Sequence, residues 1–64
     1  MKGRLFKEQT DEERILIDLS RIVVIQQDFF KDSVRVDFLN EGMLYIDNEM
    51  GAKLIEAWTK FLEQ

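Results

Sequence analysis

The stretch from residue 33 to residue 62 constrains this chain more than any other, because one alternating strand, a glycine turn, a second alternating strand and an amphipathic helix follow one another without spare residues. Ser33, Val34, Arg35, Val36, Asp37 and Phe38 alternate polar and apolar, so Val34, Val36 and Phe38 line one face of a strand while Ser33, Arg35 and Asp37 line the other. Asn40-Glu41-Gly42 follows, with a glycine free to take positive φ and close a hairpin. Met43 to Asp47 returns as the antiparallel mate, which puts Leu44 and Ile46 on the core side and Met43 and Tyr45 beside Arg35 and Asp37.

Asp47 or Asn48 is the expected N-cap of the last element, since either side chain accepts a hydrogen bond from an otherwise unpaired backbone N–H. Beyond it Met50, Leu54, Ile55, Trp58, Phe61 and Leu62 recur at spacings of three and four and form one apolar stripe. Trp58, in the middle of the stripe, is expected to be the main core plug. Glu49/Lys53 and Glu56/Lys60 are acidic-before-basic pairs four residues apart, which suit a solvated face.

The first half of the chain reads less directly. Leu5 and Phe6 are an apolar pair between Arg4 and Lys7, so residues 1–13 are either a short edge strand or an arm. Thr10 with Glu13 three residues later matches a helix capping box, and Ile15, Leu16, Leu19, Ile22 and Val23 fall at helical spacing. Against a helix, six of the eight apolar residues between Ile15 and Ile25 are Ile or Val, which are stiff in helices and pack well on a pleated surface. Two short strands are expected, 15–18 and 22–27, joined by a bend at 19–21 where Ser20 and Asp18 support a turn.

In the run Ile22-Val23-Val24-Ile25 both faces of a strand carry apolar groups. One face meets the core, and the other needs the helix, another strand or a second copy of the chain to cover it. Phe29 and Phe30 then stand together in a polar connection. One reading has one of them plug the core while the other lies against its neighbour; the other makes them a partner-binding tip, because aromatics are enriched where interfaces are tightest.

The fold class that results is α+β: a small antiparallel sheet of three to five strands packed by one C-terminal amphipathic helix, in a single domain over residues 1–64. A chain of 64 residues buries only ~60% of its unfolded surface. It has no cysteine and no histidine. Disulfides and the usual zinc sites are therefore closed to it, and oligomerisation is the expected staple.

The same inventory bounds function. No positioned acid, base or nucleophile emerges, and the acidic groups Asp28/Asp32 and Asp11/Glu12/Glu13 lack calcium-loop spacing, so neither catalysis nor a metal nor a cofactor is expected. The net charge of -4 is the wrong sign for a protein that releases counterions from phosphates. No apolar run is long enough to cross a membrane and the start lacks a signal peptide's apolar region, so a cytoplasmic location without membrane contact is expected.

The segment Leu16-Ile17-Asp18-Leu19-Ser20-Arg21-Ile22, the alternating run from Ser33 to Leu39 with Asn40-Glu41-Gly42, the strand Leu44-Tyr45-Ile46-Asp47 and the helix around Lys53 to Trp58 together resemble the small flagellar and swarming-motility protein family. That family reads as a strand, a polar-Leu-Ile strand, an alternating strand ending in Asn-Gly, another strand and a terminal helix. Here Asn40-Glu41-Gly42 replaces the tighter turn and the loop 28–32 is longer. The resemblance implies a sheet with a C-terminal helix in a small accessory binding protein, of a sort also common in phage genomes, and a motility function is not carried over with it.

The favoured expectation is therefore a non-enzymatic, homo-oligomeric adaptor or inhibitor that binds itself and another protein, with Phe29, Phe30, Val23, Ile25, Arg35 and Tyr45 as candidate contacts. The alternative is nucleic-acid or nucleotide binding by the sheet face, with Arg35, Tyr45 and the phenylalanines stacking on bases. An acidic surface that mimics nucleic acid is allowed by the charge but marked by no acidic stripe.

Overall fold

The structure is a computed structural model that describes residues 3–64; the first two residues of the expected arm lie outside them. Its elements are β1 (Leu5–Gln9), β2 (Arg14–Asp18), a 3-10 turn (Leu19–Arg21), β3 (Ile22–Asp28), β4 (Ser33–Phe38), β5 (Gly42–Asp47) and α1 (Asn48–Leu62). β1 and β2 form a two-stranded antiparallel sheet, and β3, β4 and β5 form a three-stranded antiparallel meander. The α+β class is as expected, with the strands divided between two sheets.

Each turn has a local cause. Thr10 Oγ1 accepts hydrogen bonds from the N–H groups of Glu12 and Glu13, and Thr10 N–H donates to the Glu13 carbonyl. The Thr-x-x-Glu pattern that suits a helix start thus closes the β1–β2 hairpin instead, because the Ile-rich segment after it prefers the pleated surface. Asp18 accepts from both the N–H and the hydroxyl of Ser20 and starts the 3-10 turn that carries the chain from one sheet to the other. Between β3 and β4, Asp28 accepts from the N–H groups of Phe30 and Lys31, and Asp32 adopts φ 59°. Between β4 and β5, Asn40 at φ 59° and Gly42 at φ 88° take the left-handed conformations that bring the strands back into register.

One core joins all the elements: Phe6, Ile17, Leu19, Ile22, Val34, Val36, Ile46, Met50 and Leu54. Asp47 caps α1 by accepting from Met50 N–H at 2.8 Å. Gly51 then lets the first turn of the helix lie directly on Val34. Leu54 is fully buried, whereas Trp58 and Phe61 are only partly covered and Leu62 is exposed. The expected role of Trp58 as main plug therefore belongs to Leu54. The helix meets the sheet most closely through its first turns, and the stripe runs out past the sheet edge toward Leu62. The paired Glu49/Lys53 expectation is also corrected, since Lys53 Nζ lies 3.6 Å from Glu8 of β1, while Lys60 does pair with Glu56 at 3.5 Å.

Candidate interaction surface

β4 is the centre of the surface that concerns function. Its inward residues Val34 and Val36 are fully buried, and its outward residues Ser33, Arg35 and Asp37 stand between those of the two flanking strands. The register makes two rows across the outer face: Gln26, Arg35 and Tyr45 in one, Val24, Asp37 and Met43 in the other. Arg35 Nε donates to Asp37 Oδ1 at 2.9 Å, tying the rows together. That bond and the Asp37 charge, with a smaller contribution from Tyr45, hold the guanidinium pKa above its ordinary value. Among the described residues no other element covers this face: Val24, Met43 and Tyr45 are all exposed.

A β-bulge reshapes the start of β3. Ile22 pairs with Phe38 and Val24 with Asp37, so Val23 is an extra residue on the β3 side. The inward set becomes Ile22 and Ile25, three apart instead of two, and Val23 and Val24 are left 52% and 46% exposed. The expected contact Ile25 is thus corrected. It packs inward opposite Val36, and Val24, absent from the sequence-based set, takes the outward place. Nothing in four consecutive β-branched residues distinguishes a bulge from a regular strand.

At the far end of β3 the two phenylalanines are 83% and 99% exposed. The reading in which one of them plugs the core is overturned, because the Asp28-anchored turn projects both away from the packed layer. The Asn48 side-chain amide bonds Asp32 and ties this turn to the start of α1. Between the turn and the outer face lies a hollow of about 210 Å³ lined by Gln26, Asp28, Lys31, Ser33, Arg35 and Tyr45. Five of the six expected contacts, Val23, Phe29, Phe30, Arg35 and, across from it, Tyr45, therefore lie on open surface.

Leu44 is a second departure. It shares the inward side of β5 with Ile46 but remains 38% exposed, because the β1–β2 sheet does not close against β5. A groove of about 240 Å³ separates the two there, with Ile15 on one side and Leu44 to Ile46 on the other. Among the described residues no group of three or more acidic side chains is placed to hold a metal ion, and no helix is long and apolar enough to cross a membrane. No protein-family model, curated protein or solved structure matches the chain.

Proposed function

We propose that this chain is a non-catalytic, homo-oligomeric protein-binding module, an adaptor or inhibitor, in which a second copy covers the outer face of the β3–β4–β5 sheet and the phenylalanine tip meets a protein partner. The observation that carries this reading is the near-complete exposure of Phe29 and Phe30 beside an uncovered face bearing Val23, Val24, Met43 and Tyr45. Val23, Val24, Met43 and Tyr45 give the sheet face an apolar patch for the second copy, and Phe29 and Phe30, at roughly 150–250 Å² each, give the tip a separate one. Arg35 and Asp37 alternate in sign along the central strand, so a two-fold axis perpendicular to that strand and passing between them brings each opposite its complement in the other copy.

Nucleic-acid binding by the same face is the weaker reading. The charge of Arg35 is engaged by Asp37, and Asp28 borders the hollow that a phosphate would enter. A small accessory binding protein of a sort also common in phage genomes, as the family resemblance implies, fits the adaptor reading. Light scattering at micromolar concentration tests it: a dimer or larger assembly is expected, reduced to a monomer by Tyr45→Lys. A wild-type monomer that is stable to heating sinks the oligomer, and a low-salt gel shift with RNA or DNA would move the assignment to nucleic acid.

A further inference from the structure

Among the described residues no strand pairs with the edge of β1 opposite β2, and the open side is shaped to take a strand. Leu19 N–H donates to the Arg4 carbonyl and Thr10 N–H to the Glu13 carbonyl, which sets the alternation of the hairpin. In that antiparallel ladder Arg4, Phe6, Glu8 and Thr10 direct their backbone groups at β2, so Leu5, Lys7 and Gln9 direct theirs away from it. Beyond that edge is a groove of about 460 Å³. One wall is residues 5–8 in unbroken succession, as when a groove runs along a strand edge. The other is Lys53, Glu56, Ala57 and Lys60, which at spacings of three, four and seven form one face of α1.

We propose that this groove captures an extended acidic segment of another protein as an added strand on β1, with the pattern acidic–x–apolar–x–acidic. The backbone groups of Leu5 and Lys7 supply the pairing. Ala57 is the one small side chain on the helical wall and leaves room for the apolar residue against Phe6. Lys53 and Lys60 stand one on each side of Ala57, about 10.5 Å apart along the helix axis; acidic residues four apart on a strand are about 13 Å apart, a difference that two lysine side chains span. Lys7 adds a third ammonium, and Glu8 and Glu56 already hold Lys53 and Lys60 over the groove. Lys7, Lys53 and Lys60 against Glu8 and Glu56 leave the lining with one positive charge in excess, in a chain whose net charge is -4, which favours an acidic occupant over a basic one. This site is separate from the outer face of the larger sheet, so a homodimer on that face leaves it free.

The test titrates the peptide acetyl-Thr-Glu-Thr-Val-Thr-Glu-Thr-amide into the isotopically labelled full chain and follows amide shifts. Saturable shifts confined to residues 5–8 and 53–60 are expected. Lys53→Glu with Lys60→Glu should weaken the affinity roughly tenfold, and the same peptide with lysines for its glutamates should bind wild type more weakly than the glutamate peptide does. Lys7→Pro removes an outward N–H that the hairpin does not use, so binding should be lost while the shift dispersion of the folded chain persists. No shift at millimolar peptide, equal binding of the lysine peptide, or shifts on Arg35 and Tyr45 instead would overturn the proposal. So would concentration-dependent shifts of residues 5–8 without peptide, which would assign the edge to a second copy. Apart from that self-association outcome, these results do not bear on whether Tyr45→Lys makes the chain monomeric, so the two readings fail separately.

Discussion

Single residues in this chain carry effects that their type alone would not suggest. Gly51 sits inside α1, where replacing glycine by alanine usually gains up to about 1 kcal/mol. Here a Cβ would lie 2.7 Å from the Cβ of fully buried Val34, so the added methyl overpacks the helix–sheet contact. Gly51→Ala is expected to destabilise by ~1–3 kcal/mol, seen as a fall in Tm instead of the usual rise. Asp18 offers a test by pH. Its hydroxyl bond from Ser20, at 2.6 Å, is the largest cause of a lowered pKa, followed among the lowering causes by the Ser20 N–H and by Arg4 and Arg21. A carboxyl lowered in the folded state adds stability that is complete above its unfolded pKa of about 3.9 and is lost as pH falls through the folded value. Denaturant midpoints measured from neutral pH downward should therefore show a shallower loss below pH about 4 in Asp18→Asn than in wild type. An unchanged acid limb would remove Asp18 from the acid response.

The elements show what was legible in the amino-acid pattern and what was not. β4, β5 and α1 were plain because period two and period three-to-four apolar spacing are consequences of where side chains point. The strand–bend–strand reading of residues 15–27 also matches β2, the 3-10 turn and β3, since the Ile/Val content outweighed an accidental helical spacing. Depth along the helix was not legible: a stripe tells which face turns inward but not where the sheet ends. For that reason Leu54, not Trp58, is the plug, and Leu54→Ala should cost ~2–5 kcal/mol. Trp58 is half-covered, with its indole N–H enclosed and lacking an acceptor, so Trp58→Phe keeps most of the packing and removes an unpaired donor. Chemical denaturation should rank Leu54→Ala well below Trp58→Phe, and the reverse order would return the central role to the tryptophan. At the candidate surface, Arg35 and Tyr45 could be placed from alternation alone, whereas the exchange of Ile25 for Val24 depends on a bulge that no residue type announces.

For the whole molecule the question is why a chain this small leaves so much apolar surface uncovered. Among the described residues a nine-residue buried core joins both sheets to the helix, yet Phe29, Phe30, Val23, Val24, Met43 and Tyr45 remain outside it. Were these residues needed for folding, their removal would unfold the monomer; the exposure says otherwise. The double substitution Phe29→Ser with Phe30→Ser takes away two side chains that touch little of their own chain, so the unfolding free energy at low concentration should stay within about 0.5 kcal/mol of wild type. The Asp28-anchored turn beneath them is backbone-bonded and indifferent to the substitution. Under the proposed function, what should change is association: the double variant should no longer retain a protein partner that wild type retains, and Tyr45→Lys should instead lower the mass by light scattering. Parallel measurement of urea midpoint, light scattering and partner retention separates the effects. If the double serine variant loses several kcal/mol of stability, the phenylalanines belong to the fold and the tip has no free surface with which to bind.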